Sequence, residues 1–86
     1  MDVQPAEIQV LLFGPAQRIA GQSCITVRVD GQVTCLDVKR ALVAAAPRMT
    51  DFIAGARLAV NRKLLSDTGA VRPGDEVALI GMVSGG

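Results

Sequence analysis

One stretch of this chain, TCLDVKRALVAAAP at residues 34–47, has the pattern of a sizeable amphipathic helix. Thr34 fits the N-cap. Asp37 stands at the third helical position, a capping box with Asp in place of Glu or Gln. Its charge also suits the positive end of the helix dipole. Cys35, Val38, Leu42 and Ala45 fall at helical spacing and form an apolar stripe, with Asp37, Lys39 and Arg40 pointing elsewhere. Pro47 ends the helix, because it disfavours the helical region at Ala46. A single such helix has to bury its stripe, and one face of a sheet is the natural cover. The remaining segments must therefore supply strands.

They do. Residues 7–13, EIQVLLF, are β-rich and stop at the breaker pair Gly14-Pro15. Alternation places Ile8, Val10 and Leu12 on one face and Gln9, Leu11 and Phe13 on the other. GPAQRIAG follows as a polar connection with about one helical turn. Residues 24–30, CITVRVD, carry the β-branched Ile25, Thr26, Val27 and Val29 and close at Asp30-Gly31. Beyond the helix, RMTDFIAGA reads as irregular, with Phe52 and Ile53 plugging the edge of the core. RLAV is a third strand, NRK a turn and LL a short fourth strand. SDTGAVRPGDE is a loop with a turn at Pro73-Gly74-Asp75. EVALI is the last strand, with Val77 and Leu79 facing one way and Ala78 and Ile80 the other. The order β-β-α-β-β-β predicts an α+β roll: a mixed sheet of four to five strands packed over one main helix, of which the ubiquitin-like β-grasp is the common version. Residues 1–80 form the domain and residues 81–86 a flexible C-terminal Gly-Gly tail.

Composition excludes several function classes. At 86 residues, one domain is expected. Half the residues are apolar, which argues against disorder. A net charge of +1 and only two aromatic residues offer neither a basic face nor a stacking surface, so nucleic acid is not an expected partner. The absence of histidine removes the commonest general base and metal ligand. Cys24 and Cys35 have neither redox nor zinc spacing and read as structural thiols. No metal site is expected. The N-terminal segment lacks a basic region and a long apolar run, so no signal peptide is expected. No apolar stretch approaches the roughly 20 residues of a membrane span. A cytoplasmic protein with no membrane partner is the expectation.

No phosphate loop, paired carboxylates or activated serine suggests a self-sufficient active site. Asp75-Glu76 reads as a turn and strand start, and Arg62-Lys63 as a solvated hairpin tip. Two other features are more informative. Leu11, Phe13 and Ile80, with Leu64 or Leu65, should cluster on the sheet face away from the helix. An apolar cluster of that size on a small domain marks an interface. The second feature is the ending, GMVSGG, directly after the last strand. Gly-Gly lets a backbone thread a narrow channel and carry an α-carboxylate into another protein's active site. Once adenylated, that carboxylate can accept sulfur or a nucleophilic side chain.

RLAVNRKLL and RPGDEVALIGMVSGG resemble the sulfur-carrier family of small β-grasp proteins, the MoaD/ThiS family. The hallmarks are Val60-Asn61 in the hairpin, Gly74-Asp75-Glu76-Val77-Ala78 entering the last strand, and Val83-Ser84-Gly85-Gly86 at the end. The opening VLLFG is similar to the family's first strand. Gly81-Met82 departs from the proline pair frequent at that place, and Gln17-Arg18 replaces the family's usual Arg-Glu. The likeness is greatest to the branch that serves as small subunit of molybdopterin synthase.

The resemblance implies a mechanism. An adenylating activating enzyme uses ATP on the Gly86 carboxylate, and a persulfide donor converts it to a thiocarboxylate. Val83, Ser84 and Gly85 form the tail that enters the large subunit of molybdopterin synthase, in a heterotetramer. There the sulfur builds the dithiolene of molybdopterin. No cofactor is expected on the chain itself, and ATP belongs to the activating enzyme. Phe13, Leu64 and Ile80 match where the family meets its large subunit. The alternatives are a sulfur carrier for thiamine or cysteine biosynthesis, and a ubiquitin-like modifier joined through Gly86 to lysines of target proteins.

Overall fold

The computed structural model describes residues 6–30 and 32–81. Strand β1 (Ala6–Leu12) leads through helix α1 (Pro15–Ala20) to β2 (Cys24–Val29). Strand β3 (Val33–Thr34) enters helix α2 (Cys35–Ala45). A 3-10 turn (Pro47–Met49) and helix α3 (Thr50–Ala54) follow. The described residues finish with β4 (Ala56–Val60), β5 (Lys63–Leu65), β6 (Ala70–Val71) and β7 (Val77–Gly81). Five strands form one mixed sheet in the order β2-β1-β7-β4-β5, and β3 pairs with β6 apart from it. Among the described strands, only β1 and β7, at the centre, run parallel. This is the expected α+β roll with a ubiquitin-like β-grasp topology.

The inner face follows from alternation along each strand. Ile25, Val10, Val77 and Val60 lie in register across four strands, and Leu12, Leu79, Leu58 and Leu65 form the next row. Cys35, Val38 and Leu42 of α2 are buried in the same core. The helix begins as its sequence predicts. The Asp37 amide donates to Thr34 Oγ1 at 3.2 Å, and the Thr34 amide donates to Asp37 Oδ2 at 3.0 Å, completing a capping box. These bonds hold the Asp37 carboxyl below its ordinary value.

Several expectations need correction. Ala45 is exposed, and Ala41 and Val43 pack on the core instead, because α2 meets α3 and the 3-10 turn as well as the sheet. Residues 47–54 are helical rather than irregular, and Met49 within them is fully buried. Ile53 is buried and Phe52 half-buried, as the plug reading required. The connection after β1 is a six-residue helix rather than one turn. Gly14 adopts φ 54° and ψ −127° before Pro15, a conformation closed to most L residues, and so turns the chain into α1. The expected loop at 66–76 contains β6, too short to carry a period-two signal of its own.

Lys39 is the largest departure. It is 9% exposed instead of facing away from the core. Its stem packs along the interior while Nζ donates to Asp67 Oδ1 at 3.1 Å, where the carboxylate remains partly in water. The same loop satisfies the start of α2: the Cys35 amide donates to the Gly69 carbonyl at 2.8 Å and the Leu36 amide to the Asp67 carbonyl at 3.0 Å. Asp67 thus fastens the 66–69 loop to the helix by main chain and side chain together.

Removing one partner of such a pair strands the other charge, whereas an apolar replacement of the buried member does not. Asp67→Ala is expected to lower unfolding free energy by about 1–3 kcal/mol. Lys39→Met, which keeps the stem, should cost less than about 1 kcal/mol. Urea unfolding of the two variants checks the asymmetry, and equal losses would contradict it.

Candidate functional site

The outer face of the sheet carries a continuous apolar row. Leu64, Ala59, Ala78, Leu11 and Cys24 stand opposite one another across β5, β4, β7, β1 and β2. The two alanines at the centre make a shallow trough between the larger Leu64 and Leu11. Of the two leucines considered for this face, Leu64 belongs to it, whereas Leu65 packs on the core beside its partner Leu58. Ile80, opposite Arg57, begins a second row, and Phe13 follows directly after β1. Phe13 is 56% exposed and Leu64 45%, with Ile80 half-buried. A large apolar side chain left in water forgoes about 2 kcal/mol of burial. Three of them beside a trough of small residues form a surface suited to a partner.

Beyond this row, at the end of β7, lies a second feature. Phe13, Gly14, Pro15, Phe52, Leu79, Ile80 and Gly81 line an open, mainly apolar hollow of about 350 Å³. The chain's two aromatic residues therefore both stand at this exit. Sequence reasoning assigned Phe52 to the core edge and missed its place here. The missed signal was Gly81, a residue without a side chain prolonging a well-formed strand. The predicted tail residues Val83, Ser84, Gly85 and Gly86 lie outside the described residues.

At the opposite end of β7, the β4–β5 hairpin turns through Asn61 and Arg62, both with positive φ, 52° and 69°. Asn61 tolerates this region through its side-chain bonds. Its Nδ2 donates to Asp75 Oδ1 at 3.0 Å, and its Oδ1 accepts from the Glu76 amide at 2.9 Å. The Asn61 amide donates to the Glu76 carbonyl at 2.7 Å. Asp75 Oδ2 accepts from the Arg72 amide at 2.8 Å. Bonds to Arg72 and Asn61 hold the Asp75 carboxyl below its ordinary value. The Asn61–Asp75 contact thus ties the hairpin to the turn that launches β7. Arg62 and Lys63 are exposed, as read from the sequence.

The chemistry available on the described residues is limited. Among them, no three His, Cys, Asp or Glu side chains gather as metal ligands. Cys35 is buried, and burial, with the nearby Asp67 charge, pushes its thiol up, away from nucleophilic use. Cys24 is half-buried at the end of the apolar row. Among the described residues, no helix is long and apolar enough to cross a membrane.

The model of the ThiS family matches residues 10–86. The chain belongs to that family. A relative from Arabidopsis thaliana, the molybdopterin synthase sulfur carrier subunit, is 34% identical, with the match covering 99% of this chain and 88% of the relative. The crystal structure of Haloferax volcanii small archaeal modifier protein 1 superposes with a TM-score of 0.80 at 28% identity, covering 91% of this chain and 99% of that one. Subunit 1 in the Helicobacter pylori complex of molybdopterin-converting factor subunits 1 and 2 shares the fold. Its TM-score is 0.61 at 20% identity, over 93% of this chain and 99% of that one. The ThiS-family match includes the apolar row, the Asn61–Asp75 contact and the residues that follow β7.

Asn61→Ala removes two side-chain bonds and leaves a β-carbon in the left-handed region, so a loss of about 2 kcal/mol is expected in denaturant unfolding. The pH dependence has a fixed sign. Asp37 and Asp75 have folded values depressed below the ordinary 3.8. Their contribution is therefore complete above about pH 4 and is lost as pH falls through the lower folded values. Acid titration of thermal stability should show this loss in the wild type. In Asp75→Asn the loss should be smaller, and an identical acid profile in that variant would contradict the assignment.

Proposed function

We propose that this chain is the sulfur-carrier subunit of molybdopterin synthase. The observation that carries this reading is a family match running through Gly86, together with the likeness to a relative bearing that name across nearly the whole chain. In this reading Gly86 is the working residue. Its carboxylate oxygen attacks the α-phosphorus of ATP on an activating enzyme, pyrophosphate leaves, and an acyl adenylate forms. A persulfide displaces AMP at the acyl carbon. Cleavage of the resulting S–S bond by a thiol leaves the thiocarboxylate. Val83, Ser84 and Gly85 offer little bulk beside that group. The large subunit supplies the substrate pocket and catalytic side chains, which accords with the modest chemistry of the described residues.

The outer face gives the docking surface. Phe13, Leu64 and Ile80 stand around Ala59 and Ala78 on the side of the sheet away from α2. A partner covering them would hold the domain with β7 aimed into its own active site. Two such pairs joined through the large subunits give the heterotetramer implied by the family likeness.

The likeness to the archaeal modifier protein favours a second reading, in which Gly86 is joined to lysine amines of target proteins. Both readings begin with the same adenylate and part at the acceptor.

Intact-mass spectrometry of protein purified from its own host separates them. One sulfur in place of one carboxylate oxygen at Gly86 is expected. Plain carboxylate together with isopeptide-linked conjugates would favour the modifier. Extending the chain past Gly86 should abolish thiocarboxylate formation with no change in thermal unfolding. Phe13→Glu, at an exposed position, is expected to weaken affinity for the large subunit by about tenfold or more. Undiminished binding would remove the outer face from the interface.

A further inference from the structure

The described chain ends in an unusual contact. Gly81, the last residue of β7, pairs with Ala56 and is exposed to solvent. Strand positions ordinarily favour β-branched or aromatic residues, and glycine weakens them. The reason for glycine here is steric. A β-carbon built on Gly81 would stand 2.7 Å from Phe52 Cζ and 3.1 Å from Phe52 Cε2. The ring occupies the space that any side chain at 81 would need. Gly81 has no positive φ among the described glycines, so backbone conformation does not explain it.

Phe52 is itself firmly held. It lies in α3, between the exposed Asp51 and the buried Ile53, and α3 continues through Gly55 directly into β4. The ring therefore rests on an arm fixed to the core by Ile53 and Met49. Phe13, Gly14 and Pro15 stand across the same hollow. The end of β7 at Gly81 thus has an aromatic ring on each flank, one on a helix and one just after a strand.

We infer that Phe52 is a positioning residue, whose ring against Gly81 sets the direction in which the C-terminal segment leaves the sheet toward an acceptor site. The inference rests on the carrier reading for its consequence, delivery of the Gly86 sulfur, but not for its geometry. A segment that must reach a distant active site loses rate when its starting direction is scrambled. A misplacement near 1 Å can lower a rate by about a hundredfold. Docking of the domain through the outer face does not depend on that direction.

The test uses full-length protein carrying a chemically installed Gly86 thiocarboxylate, with the large subunit. Phe52→Ala removes the ring, Phe52→Leu keeps apolar bulk without a ring, and Gly81→Ala pushes the ring aside. Single-turnover sulfur transfer is expected to fall about tenfold in Phe52→Ala and in Gly81→Ala, with affinity for the large subunit within about twofold of wild type. The double variant should be no slower than Phe52→Ala, because the ring that the new methyl displaces is already gone. A purely structural role would lower the melting temperature and leave transfer unchanged, which would overturn the inference; so would additive losses in the double variant. Phe52→Leu keeps the fold packed should Phe52→Ala not hold it, and a wild-type transfer rate in that variant also counts against the ring. A readout that needs no partner is the set of amide residual dipolar couplings at residues 81–84. They are expected to change in Phe52→Ala and Gly81→Ala, and unchanged values in both overturn the inference. A wild type that transfers no sulfur refutes the carrier reading instead, and the couplings then decide the positioning role alone.

Discussion

The parallel pairing of β1 with β7 holds the two ends of the described chain together at the centre of the sheet. Val10, Leu11 and Leu12 lie beside Val77, Ala78 and Leu79, and everything between residues 12 and 77 is the connection that parallel pairing demands. Helix α2 packs on the inner side of the sheet, nearest β2. Strand β2 extends the sheet on one side, and β4 with β5 on the other. Because its closing contacts are distant in sequence, the fold forms by bringing far segments together, and neither half has a complete core without the other.

That arrangement divides the labour between the two sheet faces. Alternation sends Val77 and Leu79 inward, so that β7 is anchored in the core. The same alternation brings Ala78 and Ile80 outward, beside Leu11 and near Phe13. One strand thus joins the hydrophobic interior, the apolar outer row and the segment that follows Gly81. Under the proposed carrier reading, such a small domain can serve because catalysis is delegated: it would offer a docking face and its own terminal carboxylate, and partners would supply the catalytic side chains.

Much of this was legible in the sequence because the signals were local. Thr34 and Asp37 announced their capping box, Pro47 its stop, and Val77 to Ile80 their two faces. The outer cluster was readable from alternation alone, down to Phe13 and Ile80; choosing Leu64 over Leu65 needed the register of β5 on β4. What escaped depended on tertiary neighbours. Lys39 looks like a solvent-facing residue until Asp67, far along the chain, arrives to pair it. Met49 ends a three-residue 3-10 turn, too short for a periodic partner to reveal its burial. Strands β3 and β6 have two residues each and exist only because they meet. Gly81 appeared merely flexible, and its reason was an aromatic ring 29 positions earlier.

The hydrogen-bonding of β7 has a mechanical consequence. The strand is bonded along both edges, to β1 through Leu79 and to β4 through Gly81. A pull on the segment beyond Gly81 acts along the strand axis. It loads both ladders together in shear, and no single bond at an edge can open first and start a zipper. Strand β7 is therefore built to resist tension applied at its end. An edge strand such as β2 or β5, bonded on one side only, would peel under the same load.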